Sequence, residues 1–228
     1  MTRRGVLLLA AVVVVAVAVV LVLTLPGLLK GNVTDELPVY VIAIDAGHGG
    51  RDPGATSGDI YEKHINLEIA NLVTELVDAE LDLEAVQIRT LDMFIPLPDR
   101  IIQAQSAGAT LYVTIHVNSY YSEDPEGVET IVDNTREQGA DSWVLAELIQ
   151  SGVTLATGAR NRGTRAQESY LQRAPFPAVS VETGYITNTA EREKLIDPEY
   201  QALIAQGILD GIRQFIDWRY GSPLPTGT

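Results

Sequence analysis

The sequence holds three histidines, and two of them stand just beyond apolar runs that read as buried strands. His48 lies in "IDAGHGG", after "VYVIAI" (39–44), and His116 lies in "IHVNS", after "TLYVTI" (110–115). Glu182 closes a third such run, "PAVSVE" (177–182). In open α/β sheets, ligands gather outside the carboxyl ends of the strands. Three strands therefore deliver two imidazoles and a carboxylate to one edge. Glu62 opens the helix that follows the His48 loop and adds a second carboxylate. Two imidazoles and a carboxylate, with water in the fourth position, form a set that holds catalytic zinc. A further carboxylate beside that water can take its proton and pass it on. Spacing alone leaves two ways to divide Glu62 and Glu182 between ligand and base.

Each residue has a plainer explanation when taken singly. A histidine at a strand end is often just a satisfied polar group, and a glutamate opening a helix serves the helix dipole. Glu182 has Arg162 and Arg165 as possible ion-pair partners. The joint placement on one edge argues for a site. His64, two residues after Glu62, points about 200° away on a helix and is not counted as a ligand. Asp45 is placed to orient an imidazole from behind. The glycines around His48, with Ala46, leave room for a metal and a substrate to approach the backbone.

The elements that must position these residues alternate. "EKHINLEIANLVTELVDAE" (62–80) carries an apolar stripe at helical spacing, "EAVQIRT" (84–90) reads as a strand and "PDRIIQAQSAGA" (98–109) as a helix. "GVETIVD" (127–133) is a further strand, and "DSWVLAELIQSGVTLATG" (141–158) and "PEYQALIAQGILDGIRQFIDW" (198–218) are helices. Alternation with continuous apolar strands predicts a single layered α/β domain with a twisted, largely parallel central sheet flanked by helices. The domain is expected over 39–218, with a flexible Pro/Gly-rich tail at 219–228.

Ahead of it, no charge interrupts Gly5 to Leu29, longer than the ~20 apolar residues that cross a bilayer. The run is too long for the core of a cleaved signal peptide and lacks a clean Ala-x-Ala, so an uncleaved single-pass anchor over 1–30 is expected, with cleaved secretion as its alternative. Arg3 and Arg4 place the N-terminus in the cytoplasm and the domain outside, after a polar linker at 31–38. Of 16 Lys and Arg, three precede residue 31, whereas all 30 acids follow it. So acidic a domain is not a nucleic-acid binder. With no cysteine, thiolate metal sites are excluded.

"IDAGHGGRDPGA", "EKHINLEIA", "IHVNS", "GVET" and "PAVSVETGYITN", in this order, resemble the zinc-dependent N-acetylmuramoyl-L-alanine amidases of the amidase 3 family. "RTLDMFIPLPDRIIQA" resembles that family's Arg-x-x-Asp…Leu-x-x-Arg segment at Arg89, Asp92, Leu97 and Arg100, and Arg162–Gly163 matches as well. The resemblance runs from about Val39 to Phe215. It implies one zinc ion held by His48, Glu62 and His116, with Glu182 as the catalytic base. It also implies hydrolysis of the amide between N-acetylmuramic acid and the L-alanine of the peptidoglycan stem. Val117, Thr183 and Tyr185 depart from the usual pattern without removing a ligand or the base.

The short chain between Asn118 and Trp143 lacks the helical insertion that plugs some relatives, so an ungated site is expected. Arg162, Arg165, Arg173 and Asn118 are candidates for meeting the stem peptide, and a monomeric catalytic domain is expected. Two other functions stay open: a zinc peptidase acting within the stem, and a membrane-anchored peptidoglycan-binding protein without turnover.

Overall fold

Six strands form one sheet in the order β4-β1-β5-β8-β6-β7. They are β1 (Tyr40–Ala46), β4 (Leu83–Gln87), β5 (Leu111–Asn118), β6 (Val128–Asp133), β7 (Asn161–Gln167) and β8 (Ala178–Tyr185). A two-residue-per-strand hairpin, β2 (Thr56–Ser57) with β3 (Ile60–Tyr61), lies between β1 and the first helix. The helices are α1 (Glu62–Asp78), α2 (Leu97–Ser106), α3 (Asp141–Thr157), α4 (Thr189–Leu195) and α5 (Pro198–Tyr220). The computed structural model describes residues 39–221, so the expected anchor, the linker and nearly all of the tail lie outside the described residues. Among the described residues no helix is long and apolar enough to cross a membrane.

The sheet is mixed. β4, β1, β5 and β8 run parallel, β6 is antiparallel to β8, and β7 is parallel to β6. Long apolar strands form because both faces are covered, and alternate residues enter two cores. Ile42, Ile44, Val113, Ile115, Val179 and Val181 point into the larger core beneath α1, α3 and α5. Ala43, Tyr112 and Ala178 point to the opposite face, into a smaller core with Ile101 and Ala104 of α2. By the same alternation Asp45, His116, Glu129 and Glu182 belong to that second face.

The larger core carries most of the stability. Fully buried Ile69 and Val73 of α1, or Ile149 of α3, each contribute about 1.5–3 kcal/mol. α3 and α5 cross unusually closely, because a Cβ at Gly207 would lie 2.5 Å from Val153 Cα. At the foot of the sheet Arg213 of α5 grips Asp82 through contacts of 2.7 and 2.9 Å, tying the last helix to β4. α5 continues to Tyr220, two residues past the expected end of the domain.

Candidate metal centre and active site

β1 ends at Ala46, and the chain turns sharply at His48, whose φ of 63° is left-handed and uncommon for a residue with a side chain. The turn aims the imidazole back over the strand ends. Asp52 accepts a hydrogen bond from His48 Nδ1 at 2.8 Å, which leaves Nε2 directed at Glu62 Oε1, 3.2 Å away. His116, near the end of β5, places Nδ1 3.0 Å from the same oxygen. Glu62 reaches them from the first turn of α1. Backbone N–H groups of Ala55 and Val117 donate to its two oxygens at 2.8 and 3.0 Å, and Asn66 Nδ2 donates at 3.3 Å.

One donor atom from each of His48, Glu62 and His116 thus lies within 4.8 Å of the others, so these residues could hold a metal ion. The fit is chemical as well as geometric. Tetrahedral ligands with bonds of ~2.0–2.1 Å stand about 3.3 Å apart, close to the two contacts at Glu62. Asp52 fixes the His48 tautomer in the way that partners of metal-bound imidazoles do.

The electrostatics show three groups competing for protons. Burial opposes charge on His48, but hydrogen bonds to Glu62 and Asp52 outweigh it and push the imidazole up to about 9. Burial likewise works against the Glu62 anion, yet the hydrogen bonds from His116 and His48 hold the carboxyl well below its usual range. His116 is raised as well, its burial outweighed by the Glu62 hydrogen bond and by the charge of Glu182.

Glu182 is the partner of His116 in the β5–β8 register and of Glu129 in the β8–β6 register. Burial raises its carboxyl; His116 opposes that, while Glu62 and Glu129 add to it. Ser180 Oγ lies 3.5 Å from Oε1, a loose contact that leaves the carboxylate available. Four residues from four elements therefore meet at one sheet edge, as the strand-end pattern predicts. His64 stays apart, with Nε2 3.6 Å from Asp92 Oδ2.

Other expectations need correction. Asp45 touches no imidazole. It is fully buried, its carboxylate bound by Arg100 Nη1 at 2.7 Å, Tyr112 Oη at 2.6 Å and Thr114 Oγ1 at 3.1 Å. Its influence on His48 is indirect, through Arg100, whose Nη2 donates to the His48 carbonyl at 2.6 Å. The partner of the imidazole is Asp52, and its place four residues after His48 in a Gly/Pro loop was the available signal. The bare loop makes room for the ligands rather than the substrate. A Cβ at Gly47 would lie 2.2 Å from His116 Cε1, and one at Gly54 would lie 2.5 Å from Glu62 Oε2.

Neither arginine pairs with Glu182. Arg165 Nε donates to Glu129 at 2.9 Å, and Asn118 Nδ2 donates to the same carboxylate at 2.6 Å. Arg162 lies over the Tyr185 ring, 5.1 Å from its centroid, and donates to the Glu126 carbonyl. Arg173 ends a 3-10 turn (Tyr170–Arg173) and is exposed. Sequence reasoning passed over Glu129, a carboxylate buried to 5% exposure in a strand of apolar neighbours. It also gave no role to Arg89, whose guanidinium donates to the carbonyls of Ala46, Gly47, Lys63 and Leu91 and so braces the ligand loop. Between Asn118 and Val128 there is no helix. Loop 119–127 is pinned instead by Glu191, which accepts from Gly127 N at 2.7 Å, and by Asn188, which donates to the Glu123 carbonyl.

Fold and site together define a class: a mixed α/β domain with a His–Glu–His metal-ligand set and a fourth carboxylate on the carboxyl edge of its sheet. Within that class the chain belongs to the Amidase_3 family, N-acetylmuramoyl-L-alanine amidase, whose model matches residues 42–214. It is 39% identical over 184 residues to N-acetylmuramoyl-L-alanine amidase LytC of Bacillus subtilis, a match covering 80% of this chain and 36% of LytC. YqiI of the same organism, an uncharacterized protein, is 37% identical, with 77% of this chain and 84% of YqiI covered. The crystal structure of N-acetylmuramoyl-L-alanine amidase from Clostridium difficile 630 superposes with a TM-score of 0.77 at 34% identity, covering 79% of this chain and 98% of that one. The chain thus spans about a third of the length of LytC and most of YqiI.

Proposed function

We propose that this chain is a peptidoglycan hydrolase that cleaves the amide between N-acetylmuramic acid and the L-alanine of the stem peptide. The observation that carries this reading is the convergence of His48, Glu62, His116 and Glu182 on one edge of a domain whose family match spans residues 42–214. His48, Glu62 and His116 would hold one zinc ion, since two imidazoles and a carboxylate leave a position for water. Bound there, zinc supplies Lewis acidity, lowering the pKa of water toward ~7 and polarising the scissile carbonyl.

The protein's own part is proton transfer and placement. Glu182 Oε accepts a proton from the attacking water and returns it to the departing nitrogen. Burial suits Glu182 to this exchange, because its raised carboxyl sits nearer the operating pH than an exposed glutamate would. Asp52 and the backbone donors of Ala55 and Val117 keep the ligand atoms aimed without rearrangement. The apolar run Gly5–Leu29 supports a reading in which the domain works outside the cytoplasmic membrane as a tethered enzyme, kept near its polymer by raised local concentration.

Digesting purified peptidoglycan with the zinc-loaded chain and weighing the products tests this function. Intact stems with N-terminal alanine are expected. Shortened stems would make the chain a peptidase, and binding without any release would make it a wall-binding protein.

A further inference from the structure

A cavity of about 360 Å³ adjoins the metal-ligand set on one side only. Gly47, His48, Phe94, Ile95, Leu97 and Tyr170 bound it, with Arg100 at its base and His116 at its inner margin. These residues come from the end of β1, the loop between β4 and α2, the start of α2 and the 3-10 turn, and Glu182 is not among them. The cavity therefore lies on the β1–β4 side of His116, and Glu182 lies on the β8 side. Its outer wall is apolar and open to solvent, with Phe94 36% and Leu97 51% exposed. Phe94 also carries the Arg51 guanidinium 4.3 Å from its ring centroid.

The direction of the reaction assigns this space. Glu182 returns its proton to the departing amine, so the nitrogen and its peptide leave toward β8. The acyl carbon's remaining substituent must extend the opposite way, over His48 and into the cavity. Charge follows the same polarity. The acyl product ends as a carboxylate, and on its side the buried Arg89 donates to carbonyl oxygens and has no paired carboxylate. The amine product ends as an ammonium, and on its side stand the carboxylates of Glu182 and Glu129. The volume falls within the ~300–1,000 Å³ of small-ligand pockets, room for one sugar ring and its substituents.

Resting on the amidase reading above, we propose that this cavity is the muramoyl subsite. Phe94, Ile95 and Leu97 take the apolar face and acetyl methyl of N-acetylmuramic acid, so the enzyme reads the glycan side of its substrate as well as the stem.

Two substrates with the same scissile amide test the assignment on the zinc-loaded full chain. One is N-acetylmuramoyl-L-Ala-D-Glu; the other is lactoyl-L-Ala-D-Glu, which lacks the sugar. Wild type is expected to prefer the first by at least about tenfold in kcat/KM, and Phe94→Ala with Leu97→Ala to reduce that ratio by about tenfold. Leu97→Trp, which fills the cavity instead of opening it, should reduce the ratio too. Saturation-transfer NMR with N-acetylmuramic acid alone should show its acetyl methyl in contact with wild type and not with the double variant. A wild-type ratio near one, or a ratio unchanged in both variants at unchanged melting temperature, overturns the proposal. A ratio that tracks stem length places the peptide in the cavity and overturns it as well. If wild type cuts neither amide yet shortens longer stems, the amidase reading falls first and takes the subsite with it.

Discussion

The two halves of the sheet's carboxyl edge are built on opposite principles. On the β4–β1–β5 half, the loop that carries His48 is clamped from beneath by two almost fully buried arginines, Arg89 and Arg100, which donate to the carbonyls of Ala46, Gly47 and His48. On the β8–β6–β7 half, two neighbouring carboxylates, Glu182 and Glu129, occupy the surface, and only Glu129 has strong partners. The first half is over-determined, as a metal site has to be, because ligand atoms must not relax when a proton or solvent competes. The second keeps one carboxylate loosely held beside one that is tightly held, which suits a group that must gain and lose a proton. Rigidity and proton mobility are thus separated by one strand spacing.

The largest test of this division removes one carboxylate from each half. Glu62→Gln is expected to lose bound metal and activity together. Glu182→Gln should keep its metal while kcat falls by about 10²–10⁴-fold, the usual scale for a general base. Metal-to-protein ratio and stem release on the same samples check both. If Glu182→Gln also lost its metal, the halves would not be separable.

A smaller effect separates the supporting residues. Asp52→Ala leaves His48 without the partner at Nδ1, and metal affinity should fall about 10–100-fold. Glu129→Gln should leave metal affinity unchanged. It trades a charge-assisted contact with Arg165 for a neutral one, and stability should drop by about 1 kcal/mol, discounted because Arg165 is nearly half exposed. Competition with a metal indicator and thermal unfolding read the two effects. Equal losses of affinity in both variants would erase the contrast.

The same contrast explains what could be read in the sequence. The strands that deliver His48, His116 and Glu182 are buried on both faces, so each appears as an unbroken apolar run ending in a polar residue. β7, "NRGTRAQ", is an edge strand with no fully buried residue, and it has no apolar signature to betray it. The β2–β3 hairpin is too short to show a period. Ligand types were legible because few side chains bind metals. Asp45 was misassigned because adjacency to a strand end does not fix direction. The pleat turns its carboxylate toward Tyr112 and Arg100, across the sheet from where an imidazole would need it.

The smallest expected effect concerns protons on the rigid half. His48 faces Glu62 and Asp52, which push its imidazole up to about 9, so it carries a proton at neutral pH unless something displaces it. A metal can bind His48 only through the neutral ring, so uptake must release that proton. The sign follows from this. Affinity rises with pH while His48 is protonated, by about tenfold for each unit, and levels off above about 9. Glu182 also has a raised carboxyl, but it lies outside the ligand set, so Glu182→Gln should leave this slope intact. Asp52→Asn removes one cause of the shift, and its plateau should begin at lower pH. Calorimetry of metal binding in buffers of differing ionisation enthalpy counts the released protons directly. A slope of zero between pH 7 and 8 would mean that the imidazole is already neutral, and that Asp52 orients His48 without charging it.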